Sequence, residues 1–217
     1  MPPTSVRTRL ALLTGLVAAI VLTGCATSAI PVPASAPASA SPFASPSEVR
    51  NAPITARAIA ALMLEHLPGD YSSGNPAWVY EDSPKGYIGA ELRYHPGEGD
   101  DGDLVRVTMW PTDRPLTCGT RPHCVELDDA GDDQVFLSWE LEEPEEDPGL
   151  FSVWINRPGE TVYGMVAGPV LKDDPRTQPG DVTVDLLRQV VTDERVRLLT
   201  TPSAIAAGEQ VKRWHKQ

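Results

Sequence analysis

Beyond residue 53 the apolar residues follow two spacings, and each predicts its own kind of element. In residues 54–67 (ITARAIAALMLEHL) Ile59, Leu62, Met63 and Leu67 recur at helical spacing, Arg57 and Glu65 fall on the other side, and Pro68-Gly69 is the stop. The pattern predicts a helix laid on a sheet, with His66 a packed or edge residue of it. Alternation with period two then takes over. Residues 87–94 place Ile88, Ala90, Leu92 and Tyr94 on one face and Tyr87, Glu91 and Arg93 on the other. Residues 104–110 turn Val105, Val107 and Met109 inward, residues 135–141 do so with Val135, Leu137, Trp139 and Leu141, and residues 151–155 with Phe151, Val153 and Ile155. Arg157-Pro158-Gly159 supplies Pro then Gly, as a type II turn requires, and leads into a further strand over 161–167. Helical spacing returns at 183–192 through Leu186, Leu187, Val190 and Val191, and residues 194–199 could add a second helical turn.

Strands joined by short polar turns imply antiparallel neighbours, because parallel ones need long crossovers. The expected fold is therefore α+β: an antiparallel meander with an N-terminal helix and one or two C-terminal helices packed on it. No internal repeat is visible.

The N-terminus is patterned differently. Arg7 and Arg9 precede thirteen residues, 10–22 (LALLTGLVAAIVL), that are apolar but for one Thr and one Gly. As a helix that run spans about 20 Å, short of a hydrocarbon core of about 30 Å. Those are the proportions of a signal-peptide core. Leu22-Thr23-Gly24-Cys25 follows at once and resembles the lipobox of bacterial lipoproteins: an aliphatic residue, two small ones, then Cys. The resemblance implies that the Cys25 thiol accepts a diacylglyceryl group and that Thr23 and Gly24 let a peptidase reach the preceding bond. Acyl chains on one residue, at about 0.8 kcal/mol per buried CH₂, would then hold the protein to a membrane.

Residues 26–52 are rich in Ala, Ser and Pro, with no apolar period and few large side chains, and read as a tether of roughly 30 Å as a flexible coil and at most about 80 Å when extended. The chain thus divides into a leader (1–24), a lipidated Cys and linker (25–52), one domain (53–200) and a tail (201–217). A domain of that size can bury its own core.

Charge narrows the partners. The whole chain carries a formal −12, from 18 Lys and Arg against 30 Asp and Glu. Residues 1–25 hold two of the basic groups and no acid, so their loss as a leader gives 16 against 30, or −14. Such an excess repels phosphate backbones, so nucleic acid is a poor partner.

Besides Cys25 the chain has two cysteines, Cys118 and Cys124, enclosing Gly119 and Pro122 in CGTRPHC. Outside the cytoplasm such a pair favours a disulfide, worth about 2.4 kcal/mol for a seven-residue ring in the chain-entropy model. A metal site using Cys118, His123 and Cys124 lacks a fourth ligand at zinc spacing, and a redox-active pair lacks the C-x-x-C motif. Acidic runs at Asp100, Asp101 and Asp103, at Asp128, Asp129, Asp132 and Asp133, and at Glu142, Glu143, Glu145, Glu146 and Asp147 fall where hairpin turns are expected. They read as solvated turns, with weak calcium binding the alternative. No metal or other cofactor is called for. G-x-S-x-G, H-E-x-x-H and S-x-x-K with partner motifs are missing, and His66, His95, His123 and His215 are scattered. That pattern assigns no catalytic residue.

Two aromatic features remain. Trp110 and Trp154 fall opposite the aliphatic residues of their strands, with Tyr87, Phe136 and Tyr163. That face either lines a ligand groove or is covered by one of the helices as a second core layer, the latter being favoured. The end VKRWHKQ gathers Lys212, Arg213, Trp214 and Lys216, which suits a membrane interface, although a frayed terminus is the simpler expectation.

Four further pieces carry a wider resemblance: LMLEHLPG (62–69), CGTRPHC (118–124), VWINRPGE (153–160) and VDLLRQVVTDERV (184–196). With them, residues 53–200 resemble a class of uncharacterised exported proteins of actinobacteria. The resemblance implies a fold and a compartment and no catalytic residue. The expectation is a lipid-anchored extracytoplasmic protein that is a binding or envelope-interaction module. Its partners would be the membrane, through Cys25, and an envelope protein or small apolar ligand. A sheet-lined carrier of an apolar ligand or lipid is the first alternative and an extracytoplasmic hydrolase the second.

Overall fold

Thr55 accepts a hydrogen bond from the Ala58 amide (3.2 Å) and so caps the helix that the first apolar spacing predicts. The computed structural model describes residues 48–95, 103–127, 133–143, 148–168 and 170–215. Helix α1 is Ala56–His66; it ends because Leu67 is extended before Pro68. Ile54, placed in the helix by its sequence, instead donates its amide to the Leu198 carbonyl.

The strands are β1 (Ala52–Pro53), β2 (Ser73–Pro76), β3 (Ile88–Arg93), β4 (Leu104–Pro111), β5 (Cys124–Leu127), β6 (Gln134–Glu140), β7 (Leu150–Arg157), β8 (Glu160–Ala167) and β9 (Leu199–Thr200). Helices α2 (Val184–Thr192) and α3 (Pro202–Gly208) flank β9. Strands β2 to β8 form one antiparallel sheet in the order β2-β3-β4-β8-β7-β6-β5. The meander is thus two runs of hairpins that meet where β4 pairs with β8, from Leu104↔Ala167 to Pro111↔Glu160. The tight β7–β8 turn has Gly159 at φ 81°, as the Pro-Gly pair predicts. The separate β1–β9 pair ties the end of the linker to the C-terminal region.

Among the described residues the helices α1 and α2 pack on one face of the sheet. α1 lies on β2 and β3 and against α3, while α2 lies on β7 and β8. Gly164 of β8 makes the second contact possible, because a Cβ there would come within 2.8 Å of Leu187 and 3.0 Å of Val191. Val105, Val107, Leu137, Val153, Val162 and Leu187 are completely buried in this layer. Arg157, itself buried, closes the far end of α2 by donating to the carbonyls of Val191, Thr192, Asp193 and Val196.

Three expectations are corrected. Residues 194–199 form turns that lead into β9, with Val196 bonded back to Asp193, and the second C-terminal helix is α3 at 202–208. Leu141 lies past the end of β6 and is 37% exposed, so it has no inward position. The segment set apart as a tail is packed as far as His215. Gly74 of β2 donates to Arg213 O and accepts from His215 N, Tyr71 Oη donates to Lys212 O (2.5 Å), and Val211 is buried. The segment covers the outer edge of β2, which would otherwise present unpaired backbone groups.

Candidate functional site

Among the described residues one face of the sheet carries no helix, and that face holds a row of aromatic side chains. Alternation puts them there: on β8, Val162, Gly164 and Val166 meet the helices, so Tyr163 must point the other way. Ring centroids follow across the sheet from Tyr87 to Trp110 (6.4 Å, 18° between planes), Trp110 to Tyr163 (6.4 Å), Tyr163 to Trp154 (6.2 Å) and Trp154 to Phe136 (5.3 Å, 17°). The five aromatic residues singled out from the sequence are therefore one continuous array. Such offset contacts add about 0.5–1.5 kcal/mol per pair beyond burial.

None of the helices among the described residues covers the array, contrary to expectation, and its two ends differ. The connection from β4 to β5, residues 112–123, must pass β8, β7 and β6 to reach the sheet's edge, and it crosses on this face. Trp154 Nε1 donates to Leu116 O (3.0 Å), Asn156 Nδ2 donates to the same oxygen (2.8 Å), and Leu116 N donates to Asn156 Oδ1 (2.9 Å). The Arg121 guanidinium sits 5.4 Å from the Trp154 ring centre. Trp154 is fully buried as a result, whereas Trp110, Tyr87 and Tyr163 are partly exposed. The Cys118–Cys124 disulfide ties this connection to the first residue of β5, with Cα atoms 5.6 Å apart.

At the open end the segment after β2 exposes Trp78 (54%), Val79 (61%) and Tyr80 (52%) in succession. Beneath it Glu91 Oε1 accepts from Arg106 Nε (2.8 Å) and from the Trp78 amide (3.2 Å), and Arg106 lies 6.0 Å from the Tyr80 ring centre. Burial disfavours charge on Arg106, but the Glu91 carboxylate and the Tyr80 and Tyr87 side chains together outweigh it, and the guanidinium pKa is raised. Burial likewise raises the Tyr87 and Tyr163 hydroxyls, opposed for Tyr163 by its 2.5 Å hydrogen bond with Ser152. Both phenols stay neutral near pH 7. The face therefore combines flat apolar rings with an internally neutralised ion pair. That composition suits contact with another surface better than bond-making chemistry.

Sequence reasoning missed the Trp78–Tyr80 segment and the Arg106–Glu91 pair. Trp78, Val79 and Tyr80 form an apolar run that follows Pro76-Ala77 and ends at Glu81-Asp82, which was the available signal; the ion pair depends on the β3–β4 register and had none.

The remaining candidates lie elsewhere. Cys25, the leader and most of the linker fall outside the described residues, as do most of the acidic runs and Lys216. His66 pairs with Asp193 (2.9 Å), while Arg195 occupies the same carboxylate, so this histidine has a structural partner. His123 stacks on Trp139 at 5.2 Å, and His95 faces Asp181 at 3.2 Å. Among the described residues no group of three or more His, Cys, Asp or Glu side chains is placed to hold a metal ion. Nor, among them, is any helix long and apolar enough to cross a membrane. A cleft of about 550 Å³ lies between His123, Trp139, Glu140 and Glu142 at the end of β6. No protein-family model, curated protein or solved structure matches this chain.

Proposed function

We propose that this chain is a lipid-anchored extracytoplasmic binding module that meets an envelope partner with the helix-free face of its sheet. The lipid on Cys25 would hold it to the membrane and residues 26–52 would let the domain stand off from the bilayer. One observation carries the reading: the sheet's two faces are finished differently. The helix side is filled, with Val107, Leu137 and Val153 completely buried, while the other side ends in partly exposed Tyr87 and Trp110 beside exposed Trp78 and Tyr80. A filled helix side favours a contact surface over a carrier with an internal lumen.

Two measurements test it. Intact mass of membrane-extracted protein should show an N-terminal diacylglyceryl-Cys25, and Cys25→Ala should abolish that species; an unmodified N-terminus elsewhere refutes the anchor. For the face, the full chain carrying Cys25→Ala is titrated onto isolated cell envelopes. Adding Trp78→Ala and Tyr80→Ala should weaken retention at least about tenfold, since two exposed aromatic anchors carry on the order of 2 kcal/mol between them. Equal retention would show that this face is not the contact surface.

A further inference from the structure

We propose that the β4–β5 connection is a redox-opened cover on the aromatic row, so that reduction of Cys118–Cys124 uncovers Trp154 and lengthens the contact face. The inference rests on the reading of that face as the contact surface.

The connection is a single layer. Residues 113–115, 117 and 119–122 are exposed, yet beneath them Trp154 is wholly buried and Phe136 nearly so. Leu116 is the one large aliphatic side chain that residues 112–123 bring to the cover, so little apolar burial holds it down. What holds it is local. Leu116 exchanges hydrogen bonds with Asn156 and accepts from Trp154, and Arg121 lies over the indole ring. Arg121 is placed by the disulfide ring: its amide donates to Cys118 O (3.1 Å) and its guanidinium to Thr117 O (2.9 Å). The ring runs from Cys118 in the cover to Cys124, the first residue of β5, so the disulfide fastens the cover to the sheet's edge. Opening it loosens the Arg121 segment between Leu116, which Asn156 holds, and His123, whose carbonyl accepts from the Trp139 amide (3.1 Å), while the sheet's own hydrogen bonds are untouched.

The chemistry is thiol–disulfide exchange with a dithiol. Both cysteine residues are partly exposed; a thiolate attacks one of the two sulfurs, the Cys118–Cys124 bond breaks, and its electron pair leaves on the other cysteine. The second thiol of the reductant, deprotonated, attacks the resulting mixed disulfide and releases the first cysteine. The reductant ends as a disulfide, and its two protons end on Cys118 and Cys124.

The test uses the full chain with Cys25→Ala, ¹⁵N-labelled, before and after dithiothreitol, with both thiols verified by mass. The readout is hydrogen exchange at the Trp154 indole N–H, which bonds to Leu116 only while the cover is closed. Reduction should speed that exchange at least about tenfold and leave the Val107 and Val162 amides unchanged. It should also strengthen envelope retention severalfold. Trp154 exchange that stays slow overturns the proposal, as does acceleration shared by the core amides or an uncovered Trp154 without stronger retention. Cys118→Ser/Cys124→Ser should reproduce the reduced state; if that variant does not fold, dithiothreitol on the disulfide-bonded chain gives the same reading. Failure of the contact-face reading itself shows separately, through Trp78→Ala/Tyr80→Ala in the oxidised protein.

Discussion

His66 Nε2 lies 2.9 Å from Asp193 Oδ2, which joins the last residue of α1 to the residue that caps α2. Two helices that share one face of the sheet are thereby fastened to each other at their ends. Arg195 completes the link, reaching Asp193 and Glu65 at 2.6 Å each.

This link makes the fold acid-sensitive in a defined window. Burial raises the Asp193 pKa, but hydrogen bonds from Arg195 and His66 outweigh it and bring the carboxyl from 3.8 to about 2. The folded pKa is the lower one, so the stabilisation is full above about pH 4 and is lost as pH falls through about 2. A depression of that size corresponds to about 2 kcal/mol. Denaturant unfolding from pH 6 to pH 2 should show stability falling most steeply below pH 4. Asp193→Asn should be less stable at pH 6 and flatter across the acid range. An unchanged slope would refute the assignment.

Arg157 should be the most sensitive single position at the end of α2. Its buried guanidinium serves four carbonyls, and Arg157→Met would remove that donor from all four, although Asp193 O keeps the Val196 amide. A loss of about 3 kcal/mol or more is expected in urea unfolding, with Arg157→Lys recovering little because one ammonium cannot reproduce the planar fork.

Gly164→Ala tests the close approach of α2 to β8. The added methyl would meet the Leu187 and Val191 side chains at 3.0 Å or less, so those side chains or the helix that carries them must shift. Destabilisation of about 1–3 kcal/mol is expected. Leu187→Ala in the same chain should relieve part of it, giving a non-additive cycle; strict additivity would place the strain elsewhere.

Truncation after Gln210 should be costly. It removes buried Val211, the hydrogen bond from Tyr71 to Lys212, and the backbone bonds between Gly74 and residues 213 and 215. A loss of about 2 kcal/mol or more is expected, with faster amide exchange in β2. If residues 211–217 were merely frayed, stability would not change.

The alternation in residues 104–110 and 151–155 was enough to place Val105, Val107, Val153 and Ile155 inside, because a strand's side chains can only alternate. Residues 73–76 (SGNP) offered no such signal, and β2 exists because β3 and Gly74's contacts to residues 213 and 215 supply its hydrogen-bond partners. Helix α3 did carry a local mark, Thr201 before Pro202, yet its apolar positions are mostly alanine and too short a run to show a period.

On its own the sequence determined the longer elements α1, β3, β4, β6, β7, β8 and α2, most of their inward and outward faces, the pairing of Cys118 with Cys124 and the gathering of five aromatic residues on one side. Each follows from backbone geometry or spacing within a few residues. Tertiary structure alone decided that β4 pairs with β8, that both longer helices lie on the same face, and that a disulfide-closed loop rather than a helix crosses Trp154. Those outcomes depend on which distant segments can be brought together without leaving buried polar groups unpaired. Local periodicity carries no information about that choice.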